Sequence, residues 1–298
     1  MGLNSDLFFQ YVVAGITYGT IYAVVAIGFN IIYNTTGIIN FAQGEFVMLG
    51  GMTAVTLHQF LPLPAAILAA VLITTAIGAL VEILFIRWLY QPSVLRMIII
   101  TIGLSILIRE TALHVWGESV RSLPYFTGSS VTSIRLGGVY LSPQVLWAIG
   151  LCALIVVLLS VFFNYTLLGR QMRACAANRD AARLCGISAK NMVTLSFMLS
   201  AAIGALAGCV VCPITYVHYD SGTPLAIKGF AVAILGGLGN SLAAAGAGMI
   251  LGALESFSVS VLPAAYKDAI AITILLLVLF VKPSGLFGSA EEARLKEF

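Results

Sequence analysis

Gln144-Val-Leu-Trp-Ala-Ile-Gly150-Leu-Cys-Ala-Leu-Ile155-Val-Val-Leu-Leu-Ser160-Val-Phe-Phe163 carries no charged residue from end to end. A helix crosses a bilayer core with roughly 20 consecutive apolar residues, and this run has that length. Its apolar residues do not alternate with polar ones as in a barrel strand, and lipid offers backbone groups no partner, so the run reads as a helix. Eight more apolar segments surround it: Phe8 to Tyr33, Gly37 to Phe60, Leu63 to Ile86, Val94 to Trp116, Met192 to Val217, Pro224 to Leu238, Ser241 to Leu262 and Tyr266 to Val281. The chain therefore reads as one all-α polytopic transmembrane bundle over residues 1–298, with about eight or nine spans. The second segment is diluted by Asn40, Gln43, Glu45 and glycines, and the seventh and ninth are short. Each is expected to be broken, tilted or re-entrant.

Composition agrees. Hydrophobic residues make up 60% of 298 positions and charged residues 9%, against roughly 45–50% and about 25% in soluble domains. The 29 glycines would weaken soluble helices, but inside a membrane they let helices approach closely. Residues 1–7 hold no Lys or Arg, and the apolar run after them is too long for a cleaved signal, so the first span is expected to be retained. The five cysteines form an odd set in apolar runs and one loop, which argues against a disulfide framework. Cys209-Val-Val-Cys212 has metal-ligand spacing but lies alone in an apolar helix, and His58, His114 and His218 stand apart, so neither a metal site nor an enzyme is expected. A net charge of +3 with dispersed cations does not form a nucleic-acid patch.

Those cations order the topology, because cytoplasmic loops are enriched in Lys and Arg. Arg87 and Arg96 flank one connection; Arg170, Arg173, Arg179, Arg183 and Lys190 fill another; Lys282, Arg294 and Lys296 lie near the C-terminus. Placing all three regions inside requires an even number of crossings between Lys190 and Lys282. A full crossing by the seventh segment satisfies this, with the N-terminus outside, the C-terminus cytoplasmic, residues 165–191 a cytoplasmic loop and residues 117–142 an external one. Met48-Leu-Gly-Gly-Met52 and Ile234-Leu-Gly-Gly-Leu238, each preceded by an ionisable residue (Glu45, Lys228), run in opposite directions in this topology, a pattern compatible with an inverted repeat.

Residues 165–191 are basic, helix-compatible and too polar to span. Ala174, Ala177, Ala181 and Leu184 recur at three- and four-residue spacing beside arginines, and Gly186-Ile187 would end that helix. The stretch suits either a positive loop on anionic headgroups or a docking helix for a soluble partner. Asp180-Ala181-Ala182, three residues and then Gly186 resemble the coupling loop of permease subunits in bacterial ABC importers. The wider set Gly169, Arg170, Arg173, Ala174, Asn178, Ala181 and Gly186-Ile187 resembles the H-type permease subunits of high-affinity branched-chain amino acid importers. Gly28 to Tyr33, Ile39 to Glu45, Lys228-Gly-Phe230, Leu235 to Asn240 and Pro283 to Gly288 extend the likeness over almost the whole chain. Asp180 stands where Glu is commoner.

The resemblance implies a membrane subunit that moves branched-chain or related neutral aliphatic amino acids into the cytoplasm of a bacterium, in its inner membrane. Its implied partners are a homologous second permease, two cytoplasmic ATPases and a periplasmic substrate-binding protein. Coupling to the ATPases falls on Gly169, Arg170, Arg173, Asn178, Asp180, Ala181, Ala182 and Gly186. The residues agree independently: no lysine follows a glycine, so the chain has no phosphate-cradling loop, and no cofactor is expected in it. The competing reading is a self-sufficient ion-coupled transporter or channel for other amino acids, amides or urea.

An ionised side chain at a helix centre costs about 2.5–3.5 kcal/mol on insertion scales. Asn40, Gln43, Glu45 and Glu255 are therefore the expected lining of a translocation path. Glu82 reads as an interfacial residue near Arg87, Lys228 as a lysine snorkelling from the outer end of a short segment, and the adjacent Arg109 and Glu110 as needing separate partners.

Overall fold

A computed structural model describes residues 5–88, 94–129, 132–136, 139–260, 263, 266–282 and 285–287. Residues 1–4, Leu262, Pro283, Ser284, Gly288, Arg294 and Lys296, which entered the reading above, lie outside the described residues. Each of the nine apolar segments forms a helix: α1 (Ser5–Thr36), α2 (Gln43–His58), α3 (Leu63–Val81), α4 (Val94–Trp116), α5 (Pro143–Tyr165), α8 (Ala189–Thr215), α9 (Gly222–Gly236), α10 (Ser241–Ser258) and α11 (Lys267–Val281). Two short helices, α6 (Leu167–Ala177) and α7 (Arg179–Leu184), lie between α5 and α8. A hairpin of β1 (Ile134–Leu136) and β2 (Val139–Leu141) stands in the polar connection before α5. Helix α3 runs on into a single π-helical stretch, Glu82–Ile86.

Contacts between helix ends define two ends of the bundle. At one, Arg87 donates to Asn191 (3.1 Å), Asn34 donates to the Gly239 carbonyl (2.6 Å) and the Leu286 amide donates to Leu235 (2.7 Å). At the other, Trp116 donates to Thr56 (2.7 Å), Ser256 donates to the Tyr11 carbonyl (2.7 Å), and Arg121 pairs with Val217 as an isolated bridge. We call these the basic end and the hairpin end. Among the described residues the chain passes between them nine times, which places Lys190 and Lys282 at the same end.

The helices divide into a buried centre and an apolar rim. Most of α1 and α8 is buried, whereas α3, α4 and α5 turn leucine and isoleucine outward, with Leu68, Leu72, Ile99, Leu154 and Leu158 exposed. In water such a surface would demand a partner; around a transmembrane bundle it is the face that lipid solvates. At the centre, Gly15 and Gly19 of α1 oppose Gly248 and Gly252 of α10, and a Cβ at any of the four would press into the facing backbone. Two small-xxx-small ridges thus pack backbone against backbone, where dispersion replaces the absent hydrophobic drive.

Helices α2 and α9, of 16 and 15 residues, rise only about 22–24 Å at 1.5 Å per residue. Each completes its pass with irregular chain. Residues 37–42 return from the end of α1, and α2 begins beside Gly28 and Ser200, near the middle of α8, then runs to Trp116 at the hairpin end. Residues 216–221 descend from the hairpin end, and α9 then runs to the basic end. The two helix N-termini meet at mid-bundle: a Cβ at Gly44 would collide with the Gly222 carbonyl oxygen. The expectation of broken, oppositely directed segments describes this pair, and the seventh segment makes its crossing as a loop plus a half-length helix.

Candidate functional site

The spacing of Ala174, Ala177, Ala181 and Leu184 points to one helix in the basic loop, but the loop folds as two, α6 and α7, because Asn178 interrupts it. Asn178 adopts an extended conformation (φ −157°, ψ 112°), and its Oδ1 accepts from the amides of Asp180 (3.0 Å) and Ala181 (2.9 Å). An asparagine N-cap satisfies amides that the first turn leaves unpaired, which explains why an alanine-rich run restarts there. Thr166 caps α6 in the same way through the Gly169 amide (3.0 Å). Gly169 lies against the end of α5, where a Cβ would strike the Phe162 carbonyl. Gly186 closes α7 with φ +78°: its amide reaches Arg183 (2.9 Å) and the Ile187 amide reaches Ala182 (3.0 Å), the paired bonds of a Schellman stop.

Burial then separates the roles. Met172, Cys175 and Ala182 turn inward, while Arg170, Arg173, Asn178, Asp180, Ala181 and Gly186 are exposed. The apolar face foreseen for this segment, Ala174, Ala177, Ala181 and Leu184, also points outward, and Leu184 is 91% exposed. Arg173 bonds Asn164 of α5 (3.2 Å) and Arg183 pairs with Asp180 (3.3 Å). Sequence reading missed Arg179, which is half-buried and donates to the Thr36 carbonyl at the C-terminus of α1 (2.9 Å). A cation there satisfies an orphan carbonyl and complements the helix dipole. Burial, and then neighbouring Arg183, lower the proton affinity of its guanidinium.

The four polar residues expected along a path are all buried, each in a different setting. Asn40 Oδ1 accepts from the Ala42 amide (3.2 Å), turning the chain into α2. Gln43 Nε2 donates to the Ser200 carbonyl (3.2 Å), its Oε1 accepts from the Ser200 hydroxyl, and that hydroxyl lies 2.8 Å from the Gly28 carbonyl. Gln43 thereby joins α1, α2 and α8. Glu45, in the first turn of α2, accepts from Ser105 of α4 (2.8 Å) and Thr223 of α9 (3.4 Å), and a Cβ at Gly222 would press on its other oxygen. One carboxylate thus faces the partial positive charge of two helix N-termini.

Glu255 belongs to a separate cluster. Lys228 donates to Glu255 (2.6 Å), Asp268 (2.7 Å) and the Tyr22 hydroxyl (3.1 Å), while Lys267 stands 3.8 Å from Glu255 and 3.6 Å above the Tyr18 ring. The snorkelling expected of Lys228 is therefore not observed. Because α9 starts at mid-bundle, Lys228 sits where α10 and α11 supply two carboxylates. Glu82 also departs from the interfacial reading: it is 1% exposed and accepts from Thr194 of α8 (2.6 Å). Arg109 finds its separate partner in Asp220 (3.4 Å) although Glu110 also comes within 3.8 Å. A cavity of about 270 Å³ opens beside these groups, between α4, α9 and α11. Among the described residues no three of His, Cys, Asp and Glu converge as metal ligands.

Comparison with known proteins matches residues 11–279 to a family described as "Branched-chain amino acid transport system / permease component". The high-affinity branched-chain amino acid transport system permease protein BraD of Pseudomonas aeruginosa is 31% identical, over 95% of this chain and 97% of that protein. The corresponding permease protein LivH of Escherichia coli K12 is 31% identical, over 95% of this chain and 96% of its own length.

Proposed function

The chain belongs to the family of branched-chain amino acid transport permease components, and from that premise we propose that it is the membrane subunit of an ATP-driven importer for branched-chain or related neutral aliphatic amino acids. The basic end faces the cytoplasm of a bacterial inner membrane, the C-terminus lies on that side, and residues 117–142 face outward, in keeping with the excess of Lys and Arg at one end. A second permease of the same kind would complete the pathway, two ATPases would dock on the basic end, and a periplasmic binding protein would deliver substrate at the hairpin end.

The observation that carries this reading is the outward face of α6 and α7. An exposed Leu184 and three exposed alanines beside Arg170 and Arg173 make an amphipathic surface too small to fold on and well suited to insertion in a groove. Arg179 gives that surface a mechanical connection, since it grips the end of α1 just before the chain turns into α2. Closure of the ATPases would push α6 and α7, and α1 and α2 would carry the displacement to the mid-bundle junction. Gly169, Asn178, Asp180, Ala182 and Gly186 set the shape of this lever. Asn40, Gln43 and Glu45 hold the receiving junction, and Glu255 anchors Lys228 beside the cavity.

The test is co-purification of the reconstituted importer after replacing Arg170 and Arg173 together by alanine, and separately Gly186→Val. Both changes should weaken retention of the ATPases or uncouple ATP hydrolysis from uptake. Unchanged assembly and transport would overturn the coupling assignment. Uptake by the purified chain alone, driven by a proton or sodium gradient, would overturn the importer reading in favour of an ion-coupled carrier.

A further inference from the structure

The cavity between α4, α9 and α11 is lined at its charged positions by Arg109, Asp220, Lys228 and Asp268, two cations and two anions. They form two base–acid pairs, Arg109–Asp220 at 3.4 Å and Lys228–Asp268 at 2.7 Å. Ile227 and Ile272 supply apolar wall nearby. The pairs differ in how firmly they are closed. Lys228 is only 13% exposed and is also held by buried Glu255. Arg109 and Asp220 are 29% and 48% exposed, and they meet through one guanidinium nitrogen and one carboxylate oxygen instead of the parallel two-bond fork that this pair of groups prefers. The bond uses one nitrogen of Arg109, whose Nε stands 3.8 Å from Glu110, and one oxygen of Asp220, so further polar atoms of two cavity-lining residues lie outside it.

From this geometry we infer that the Arg109–Asp220 pair is a docking site for the zwitterionic head of a free aliphatic α-amino acid, whose side chain lies against Ile227. The inference rests on the importer reading and narrows its substrate class. In an α-amino acid the carboxylate and ammonium are attached to one carbon, so a site for both must present a base and an acid side by side. Arg109 takes the carboxylate and Asp220 the ammonium. The four charged residues that line the cavity cancel, with Glu110, 3.8 Å from Arg109, outside that lining, so a zwitterion enters without unbalancing the cavity wall. A carboxylic acid or an amine brings one uncompensated charge into a low-dielectric wall, which is costly. Urea and simple amides bring no charge and offer each partner of an opened pair only a neutral hydrogen-bonding group, a weaker replacement for the opposite charge it gave up. Thr223 connects the site to Glu45 behind it, since Thr223 lines the cavity and donates to that carboxylate. An occupant that shifts Thr223 therefore acts directly on the junction of α2 and α9.

The test is protection of an introduced thiol on the assembled permease pair without the binding protein, so that selection by that protein cannot contribute. Ile227 is 50% exposed in the cavity, and of the native cysteines Cys185 is exposed and the other four are buried. Ile227→Cys is made in a Cys185→Ser chain, and the rate of methanethiosulfonate labelling is followed with leucine, leucinamide, isocaproate or urea. Leucine at ten times its dissociation constant should slow labelling about tenfold by mass action, and the other three should have little effect. Arg109→Gln and Asp220→Asn should each abolish protection, with retention of the partner permease showing that the pair is still assembled. Absence of leucine protection, equal protection by leucinamide or isocaproate, or protection surviving both substitutions would overturn the site. Leucine uptake by the unmodified complete importer is measured in parallel. Uptake without protection removes the site and leaves the importer reading standing; protection without uptake removes the importer reading and leaves the site.

Discussion

The α6–α7 segment and the mid-bundle junction each bring several helices together through polar side chains, but under opposite conditions. In α6–α7 the caps at Thr166 and Asn178 and the stop at Gly186 satisfy the backbone locally, and most other polar groups face water. At the junction Gln43 and Glu45, and in the cluster beside it Lys228, reach across from one helix to others, to partners outside their own helix. Local satisfaction leaves a segment free to move as a unit and to bind something else. Distant satisfaction ties helices together and makes each partner indispensable. Substitutions in the two regions should accordingly separate stability from partnership.

Lys228→Met should have the largest effect on the fold. It leaves the fully buried Glu255 with Lys267, 3.8 Å away, as its remaining ion-pair partner among the described residues, and breaking a buried ion pair from one side costs about 3–5 kcal/mol. A fall of the thermal midpoint in detergent should appear, largely recovered in Lys228→Met with Glu255→Gln, because the second change removes the stranded charge. An unaltered midpoint for the single variant would show that Lys267 suffices. Glu45→Gln comes next. The amide oxygen can still accept from Ser105, but the charge opposing two helix N-termini is lost, a contribution of about 0.3–1 kcal/mol at each terminus and up to about 2 when partly buried. Chemical denaturation should register it, and equal stability would mean that the dipoles of α2 and α9 are already compensated by backbone contacts.

These two regions also differed in how far the sequence disclosed them. The apolar segments are legible because lipid demands long uncharged runs, so all nine became helices, and the short, glycine-broken ones became the half-length α2 and α9. The caps of α7 were present as Asn178-Arg179-Asp180, yet the alanine periodicity drew the eye to one continuous helix. Lys228 could not be read correctly from its own neighbourhood. Its position in a short segment suits snorkelling, and only the fold shows Glu255 and Asp268 arriving from α10 and α11. Arg109 and Asp220 are more than a hundred residues apart, with no local pattern to join them. The facing ridges of Gly15, Gly19, Gly248 and Gly252 were visible as spacing, but no rule of spacing pairs one ridge with another.

In the exposed segment the expected losses of stability are smaller. Asn178→Ala removes two side-chain bonds to the amides of α7, a loss of about 1 kcal/mol for an N-cap. That loss should appear as faster hydrogen exchange in residues 179–184 with little change in global unfolding. Exchange accelerating equally throughout α8 would show that α7 is not an independent unit and would erase the contrast with the junction.

Leu184→Asp should change permease stability least of all, and it sharpens the comparison furthest. The side chain is 91% exposed, so the substitution removes almost no internal packing, and surface changes of this kind stay within about ±0.5 kcal/mol. If the apolar face of α7 seats in a groove on an ATPase, the same change places a carboxylate where an apolar surface is required, and that carboxylate loses hydration on docking. Unfolding of the isolated permease should then be unchanged while ATPase retention falls. A parallel loss of stability would place Leu184 in the permease's own packing, and retention at the original level would move the docking surface away from α7, toward the arginines of α6.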